Sequence, residues 1–120
     1  MQRTEMIPNR PQRFGELLKE EIASIISRKV RDPRIGFITI NEVDVKPDFK
    51  SAIVYYTVIG DQAQREKTSA ALERMSGFVR HELKSSHLNI RTLPSLVFRY
   101  DTSLDYGEKI DATLKRINNP

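Results

Sequence analysis

Phe14, Leu17, Leu18, Ile22, Ile25 and Ile26 recur at steps of three and four residues, which lays one apolar stripe along a helix. Glu16, Lys19, Glu20 and Arg28 fall largely off that stripe. The spacing predicts a helix beginning near Asn9 or Arg10, with Pro11 in the first turn, where an N–H would have no intrahelical partner. Asp32-Pro33 should end it, because proline disfavours helical geometry in the residue before it.

The period then shortens to two. Gly36 to Val45 is rich in β-branched residues, and its alternation changes phase between Ile40 and Val43, which predicts a bulge or a strong twist. Lys46-Pro47-Asp48-Phe49 reads as a turn. Ser51 to Ile59 is apolar or aromatic on both faces, as expected of an interior strand, so the two runs should pair as an antiparallel hairpin. Asp61 followed by Gln64 offers a capping box for a second helix. Its apolar positions are Ala70, Ala71, Leu72, Met75, Phe78, Val79 and Leu83.

Ser76-Gly77 interrupts that second stripe. Glycine costs a helix interior about 1 kcal/mol against alanine, and Gly/Ser pairs are a recognised cause of kinks. A kink here would open backbone N–H groups to an anion, with Arg80, His81, Lys84, His87 and Arg91 following. Pro94 then precedes a third strand, Ser95 to Tyr100, with Leu96, Phe98 and Tyr100 on one side. Thr102 is placed to cap a final helix whose stripe is Ile110, Leu114 and Ile117. Three strands with helices packed on one face make a single α+β two-layer domain over residues 1–120, with 1–8 and 118–120 expected to be flexible ends.

Composition narrows the function classes. With 120 residues, 38% hydrophobic and 30% charged, the chain suits one folded domain. No apolar run reaches the ~20 residues a membrane span needs, and the first residues lack a signal peptide's apolar core. Cysteine is absent, which excludes disulfides and thiolate-held metals. A cytoplasmic protein is the expectation. The net charge of +4 is unevenly spread: residues 1–34 and 65–99 carry the basic excess, while 35–64 and 100–120 are net acidic. Such segregation fits a nucleic-acid face, and it fits solvated helix surfaces equally well.

Catalytic chemistry finds little footing. His81 and His87 are six apart, which is not the spacing of paired helix ligands, and no His-Glu-x-x-His or Asp-x-Asp cluster occurs. Asp101 and Ser103 lack the strand–Gly-x-Ser-x-Gly–helix turn of a nucleophile, so helix capping is the better reading of that stretch. The glycines at 15, 36, 60, 77 and 107 match neither nucleotide fingerprint, nor the Gly-x-x-Gly clamp of K-homology domains. No enzyme, cofactor or metal is expected. The candidate RNA contacts are Arg10, Arg13, Lys29, Arg31, Arg34, Ser76, Gly77, Arg80, Lys84 and Arg91. Each could instead be an ordinary solvated or ion-paired side chain. Two other readings stay open: an adaptor that adds a strand at the hairpin edge, and a small hydrolase dependent on a histidine.

Several blocks match one family in order and spacing. They are Asp32-Pro33-Arg34, Ile38 to Val43, Asp48 to Tyr55, Gly77 to Leu83, Leu88 to Phe98, and Asp101-Thr102-Ser103 with Ile110 and Leu114. Together they resemble bacterial ribosome-binding factor A across about residues 6–117. The resemblance implies a type II K-homology topology in which a kinked helix, here at Met75-Ser76-Gly77, replaces the Gly-x-x-Gly loop. It also implies a non-catalytic factor that binds the 30S subunit and 16S rRNA, assists late maturation and 5′-end processing, and supports growth in the cold. Ribosomal proteins and an assembly GTPase are implied as further partners of a monomeric protein.

Overall fold

The computed structural model describes residues 9–29, 35–86 and 93–103, with Lys29 described for its backbone alone. The order is α1 (Arg10–Lys29), β1 (Ile38–Val45), β2 (Ser51–Val58), α2 (Gln62–Lys84) and β3 (Ser95–Tyr100). The expected final helix, the Asp32-Pro33 stop and the two terminal segments lie outside the described residues.

Helix α1 starts where the sequence places it, and two reciprocal hydrogen bonds fix the start. Gln12 N donates to Asn9 Oδ1, and Asn9 N donates to Gln12 Oε1, both at 2.9 Å. This is a complete capping box, closed by asparagine and glutamine. The stripe then buries Leu18, Ile22, Ile25 and Ile26, while Leu17 stays 49% exposed at its margin. Gly15 lets the helix approach β1 closely: a Cβ there would collide with the Val43 carbonyl oxygen.

β1 and β2 pair antiparallel, and the register slips between Ile40 and Glu42, which leaves Asn41 as the bulged residue. The phase change in the sequence is this bulge, and it returns both Ile40 and Val43 to the core side. In the turn, Phe49 N donates to Lys46 O at 2.8 Å, and Phe49 itself has φ of 61°. A bulky residue rarely adopts that left-handed conformation. Phe49 is held there by packing against Phe14, with ring centroids 5.7 Å apart.

β2 is the centre of the sheet, in the order β1-β2-β3, and β3 runs parallel to it, with Ser51 opposite Ser95 and Tyr56 opposite Tyr100. Parallel pairing needs a long crossover, and α2 supplies it. Asp61 Oδ1 accepts from Gln64 N at 3.0 Å to open α2, while Gln64 Nε2 reaches the buried Thr68 hydroxyl at 3.1 Å.

Alternation along β2 buries Ala52, Val54, Tyr56 and Val58 and leaves Ser51, Ile53, Tyr55 and Thr57 half-exposed on the other face. Both described helices pack on the buried face, α1 over β1 and α2 over β3. Tyr56 stands edge-on to Tyr100 in the middle of this core (5.7 Å, 86°), and Arg65 lies 4.3 Å over the Tyr100 ring. The α+β two-layer arrangement is as expected and is consistent with a K-homology-like topology.

Ser76-Gly77 does not divide the second helix into two segments. Gln62 to Lys84 forms one helix of 23 residues, and Ser76 Oγ donates back to the Glu73 carbonyl at 3.1 Å. Val79 and Leu83 beyond the glycine are fully buried, as is Leu72 before it. Burying a large aliphatic side chain gains about 1.5–3 kcal/mol, which outweighs the ~1 kcal/mol that a helical glycine loses. No second helical N-terminus is therefore offered to an anion at this position.

Candidate nucleic-acid interface

The candidate cations divide between the two ends of the molecule. The 19 steps from Arg10 to Lys29 place these residues about 28 Å apart along the helix axis. Lys29 thus belongs to the end where β1 begins. Arg31, Arg34 and Arg91 lie outside the described residues.

Among the described residues the other end gathers more. Arg10 and Arg13 are exposed on the first turn of α1, and the Arg10 guanidinium lies 5.8 Å over the Phe49 ring of the hairpin turn. Next to Phe49, the Lys50 carbonyl accepts from Ser95 N at 2.9 Å, which ties the turn to the start of β3. Arg80 of α2 reaches the same place. Hence α2 ends beside the hairpin turn, runs antiparallel to α1, and brings its exposed last residue, Lys84, to the end that carries Arg10 and Arg13.

Arg80 itself has structural work. Its Nε donates to the Pro94 carbonyl at 3.3 Å and its Nη2 to the Leu93 carbonyl at 3.2 Å. Leu93 and Pro94 are buried, so these carbonyls need partners inside the protein. The guanidinium expected to face phosphate is half-buried and fastens the entry of β3 to α2. Ser76 is half-buried and Gly77 exposed, and a Cβ on Gly77 would meet nothing within 4 Å.

The sequence reading missed the lysines of the hairpin turn. Lys50 is exposed, while Lys46 Nζ lies 3.0 Å from Asp44 Oδ2 in a solvent-screened pair of small energetic worth. The Lys-Pro-Asp-Phe-Lys sequence showed the charges; only the fold shows that they stand beside the first turn of α1. The Asn9–Gln12 box closes α1, and Asp61 closes α2 at the far end. Anion binding at the basic end accordingly falls to side chains. His81 and Lys84 also sit in the last turn of α2, where the helix dipole favours a cation.

At the opposite end Asp101 acts as a lock. Its N–H donates to the Tyr56 carbonyl at 2.8 Å, and its carboxylate accepts from Asn41 Nδ2 (2.9 Å) and Ser103 N (3.0 Å). The bulge residue of one edge strand is thereby joined to the exit of the other. The Asn41 hydrogen bond, followed by those of Ser103, holds the Asp101 carboxyl below its ordinary value. The final helix that Thr102 was expected to cap lies outside the described residues. Among the described residues no cluster of His, Asp and Glu is disposed to hold a metal ion. No helix among them is long and apolar enough to cross a membrane.

Comparison with known proteins points one way. A family model described as ribosome-binding factor A matches residues 10–114. A ribosome-binding factor A of Macrococcus caseolyticus is 41% identical over 109 residues, spanning 91% of this chain and 95% of the relative. The crystal structure of ribosome-binding factor A from Thermus thermophilus superposes with a TM-score of 0.67 at 24% identity, covering 75% of this chain and 93% of that one. The solution structure of a Thermotoga maritima protein described as a putative ribosome binding factor A gives 0.62 at 27%, covering 80% and 94%. A T. thermophilus ribosome-binding factor A homology model, fitted to a cryo-EM map of a complex with the 30S subunit, gives 0.62 at 25%, covering 73% and 91%.

Proposed function

The chain belongs to the ribosome-binding factor A family, and from that membership we propose that it is a non-catalytic assembly factor of the small ribosomal subunit. It binds free 30S subunits through 16S rRNA, assists late maturation and 5′-end processing, and acts in the cytoplasm as a monomer. Ribosomal proteins and an assembly GTPase share or follow the contact. The observation that carries the reading is the 41% identity over nearly the whole chain, with a relative of the same fold placed on a 30S map.

The mechanism is differential binding. A factor without a reaction of its own can favour one rRNA arrangement only by holding it more tightly than the alternatives. That help matters most when misfolded RNA helices exchange slowly, which gives a physical basis for a role in the cold. The contact is the end formed by Arg10, Arg13, Lys50 and Lys84, where separate stretches of chain present cations together. Arg80 supports that surface from within rather than touching RNA.

Co-sedimentation with 30S subunits over a salt series tests this. Arg13→Glu with Lys84→Glu should weaken binding and flatten the log–log salt dependence by about 0.7–0.9 per lost phosphate contact. Unchanged affinity and slope would remove this end from the interface.

A further inference from the structure

Two antiparallel helices on one sheet face leave a groove between them, and their contacts with the sheet fix which flanks line it. On α1, Gln12, Glu16, Ala23 and Ser27 border clefts that open along the outer edge of β1. The opposite flank, carrying Arg10, Arg13, Leu17 and Glu21, therefore turns toward α2. On α2, Gln64 packs at Gly36, the entry to the strand beneath α1. Helical spacing sets Ala71, Met75, Phe78 and Glu82 on that same flank.

The groove has an uncovered apolar lining. Ala71 is fully buried at its floor, but Phe78 is 41% and Leu17 49% exposed, on facing helices. Arg13, Arg28, Lys67 and Arg74 stand exposed along the rims, against the exposed Glu20 and the half-buried Glu21 and Glu82. Cations prevail, and the basic end lies at the groove's mouth. An apolar peptide would leave those cations facing apolar atoms. A nucleotide satisfies both features, because its base has an apolar face and its phosphate a negative charge.

We propose that the α1–α2 groove binds single-stranded RNA, with one unpaired base stacked on Phe78 against Leu17 and the flanking phosphates on Arg13 and Arg74. This rests on the small-subunit reading above and adds to it a contact that depends on the base. Phosphate contacts position a protein without reading the RNA, whereas a base can reach an aromatic ring only when it is unpaired. The groove therefore distinguishes an exposed strand from a formed duplex, and so an unfinished rRNA segment from a paired one.

The chain has no tryptophan, so Phe78→Trp introduces a single emitter at the site. The probes are a ten-nucleotide single strand, the same backbone with abasic sugars, and a duplex of equal length. The single strand should quench emission, and the other two should not. Phe78→Ala should lower affinity for the single strand about five- to hundredfold with an unchanged salt slope, whereas Phe78→Tyr should bind like the parent. Phe78→Leu keeps an apolar side chain and lacks only the aromatic ring, so a loss in it too, with an unshifted thermal midpoint, separates stacking from misfolding.

Equal quenching by the abasic strand, or full affinity in Phe78→Ala, overturns the proposal. So does capture of a protein at the groove that survives nuclease. The two readings fail separately. If Arg13→Glu with Lys84→Glu abolishes subunit binding while Phe78→Ala leaves both subunit and single-strand binding intact, only the base site falls. If the unaltered protein ignores 30S subunits, the small-subunit reading falls, whatever the emitter shows.

Discussion

Helices α1 and α2 cover the same sheet face in different ways, and their interior glycines show how. Gly15 puts the backbone of α1 directly against the Val43 carbonyl, and the residues after it bury an unbroken aliphatic stripe. Gly77 faces solvent on α2, with no atom where a side chain would begin. The buried side of α2 is more mixed: Thr68 takes part in it, and the C-terminal half leans on Arg80 and its two carbonyl partners. One helix is fixed by close aliphatic packing, the other by smaller, more widely spaced apolar anchors and a polar clamp. The basic end sits where both helices meet the hairpin turn, so it rests on both kinds of packing.

Substituting the two glycines breaks this comparison most directly. Gly15→Ala should destabilise the protein by about 1–3 kcal/mol in chemical denaturation, although alanine is the better helix former, because the collision is with backbone rather than a movable side chain. An effect near zero would mean that α1 rides further from β1. Arg80→Met keeps the aliphatic stem and removes the donors; it should cost about 1–2 kcal/mol and loosen the Leu93–Pro94 entry to β3 in amide exchange. Its subunit affinity, compared where both proteins are folded, should fall less than that of Lys84→Glu. A larger fall would return Arg80 to the RNA contact. Gly77→Ala carries the smallest effect and the opposite sign: a gain of about 0.5–1 kcal/mol, read as a higher denaturation midpoint. Destabilisation there would show that the backbone at Gly77 needs a conformation alanine cannot take.

Much of this was legible in the sequence where local chemistry decides. The aliphatic run from Leu18 to Ile26, the phase slip at Asn41, the interior character of Ser51 to Val58 and the Asp61 cap all follow from spacing and residue type. Three features depended on partners far along the chain. Phe49 carries no turn signal of its own, since its contacts with Phe14 and Arg10 are what account for an aromatic in the left-handed region. Arg80 looked like a surface cation because nothing local reveals that the carbonyls of Leu93 and Pro94 come to meet it. Ser76-Gly77 looked like a break because helix propensity is local, whereas the burial of Leu72, Val79 and Leu83 that holds α2 together is not. The basic residues were visible as a set; their division between two ends, about 28 Å apart, needed the length and direction of α1.

Directed cleavage of rRNA tests the central claim most directly, because the chain contains no cysteine and accepts a single one cleanly. Lys50→Cys places a tethered hydroxyl-radical source at the basic end, and Phe37→Cys places one at the opposite end, where Phe37 is 83% exposed. With the protein bound to 30S subunits, the account predicts strong, localised cuts in 16S rRNA from position 50 and weak or none from position 37. Strong cuts from position 37 with silence at position 50 would contradict it.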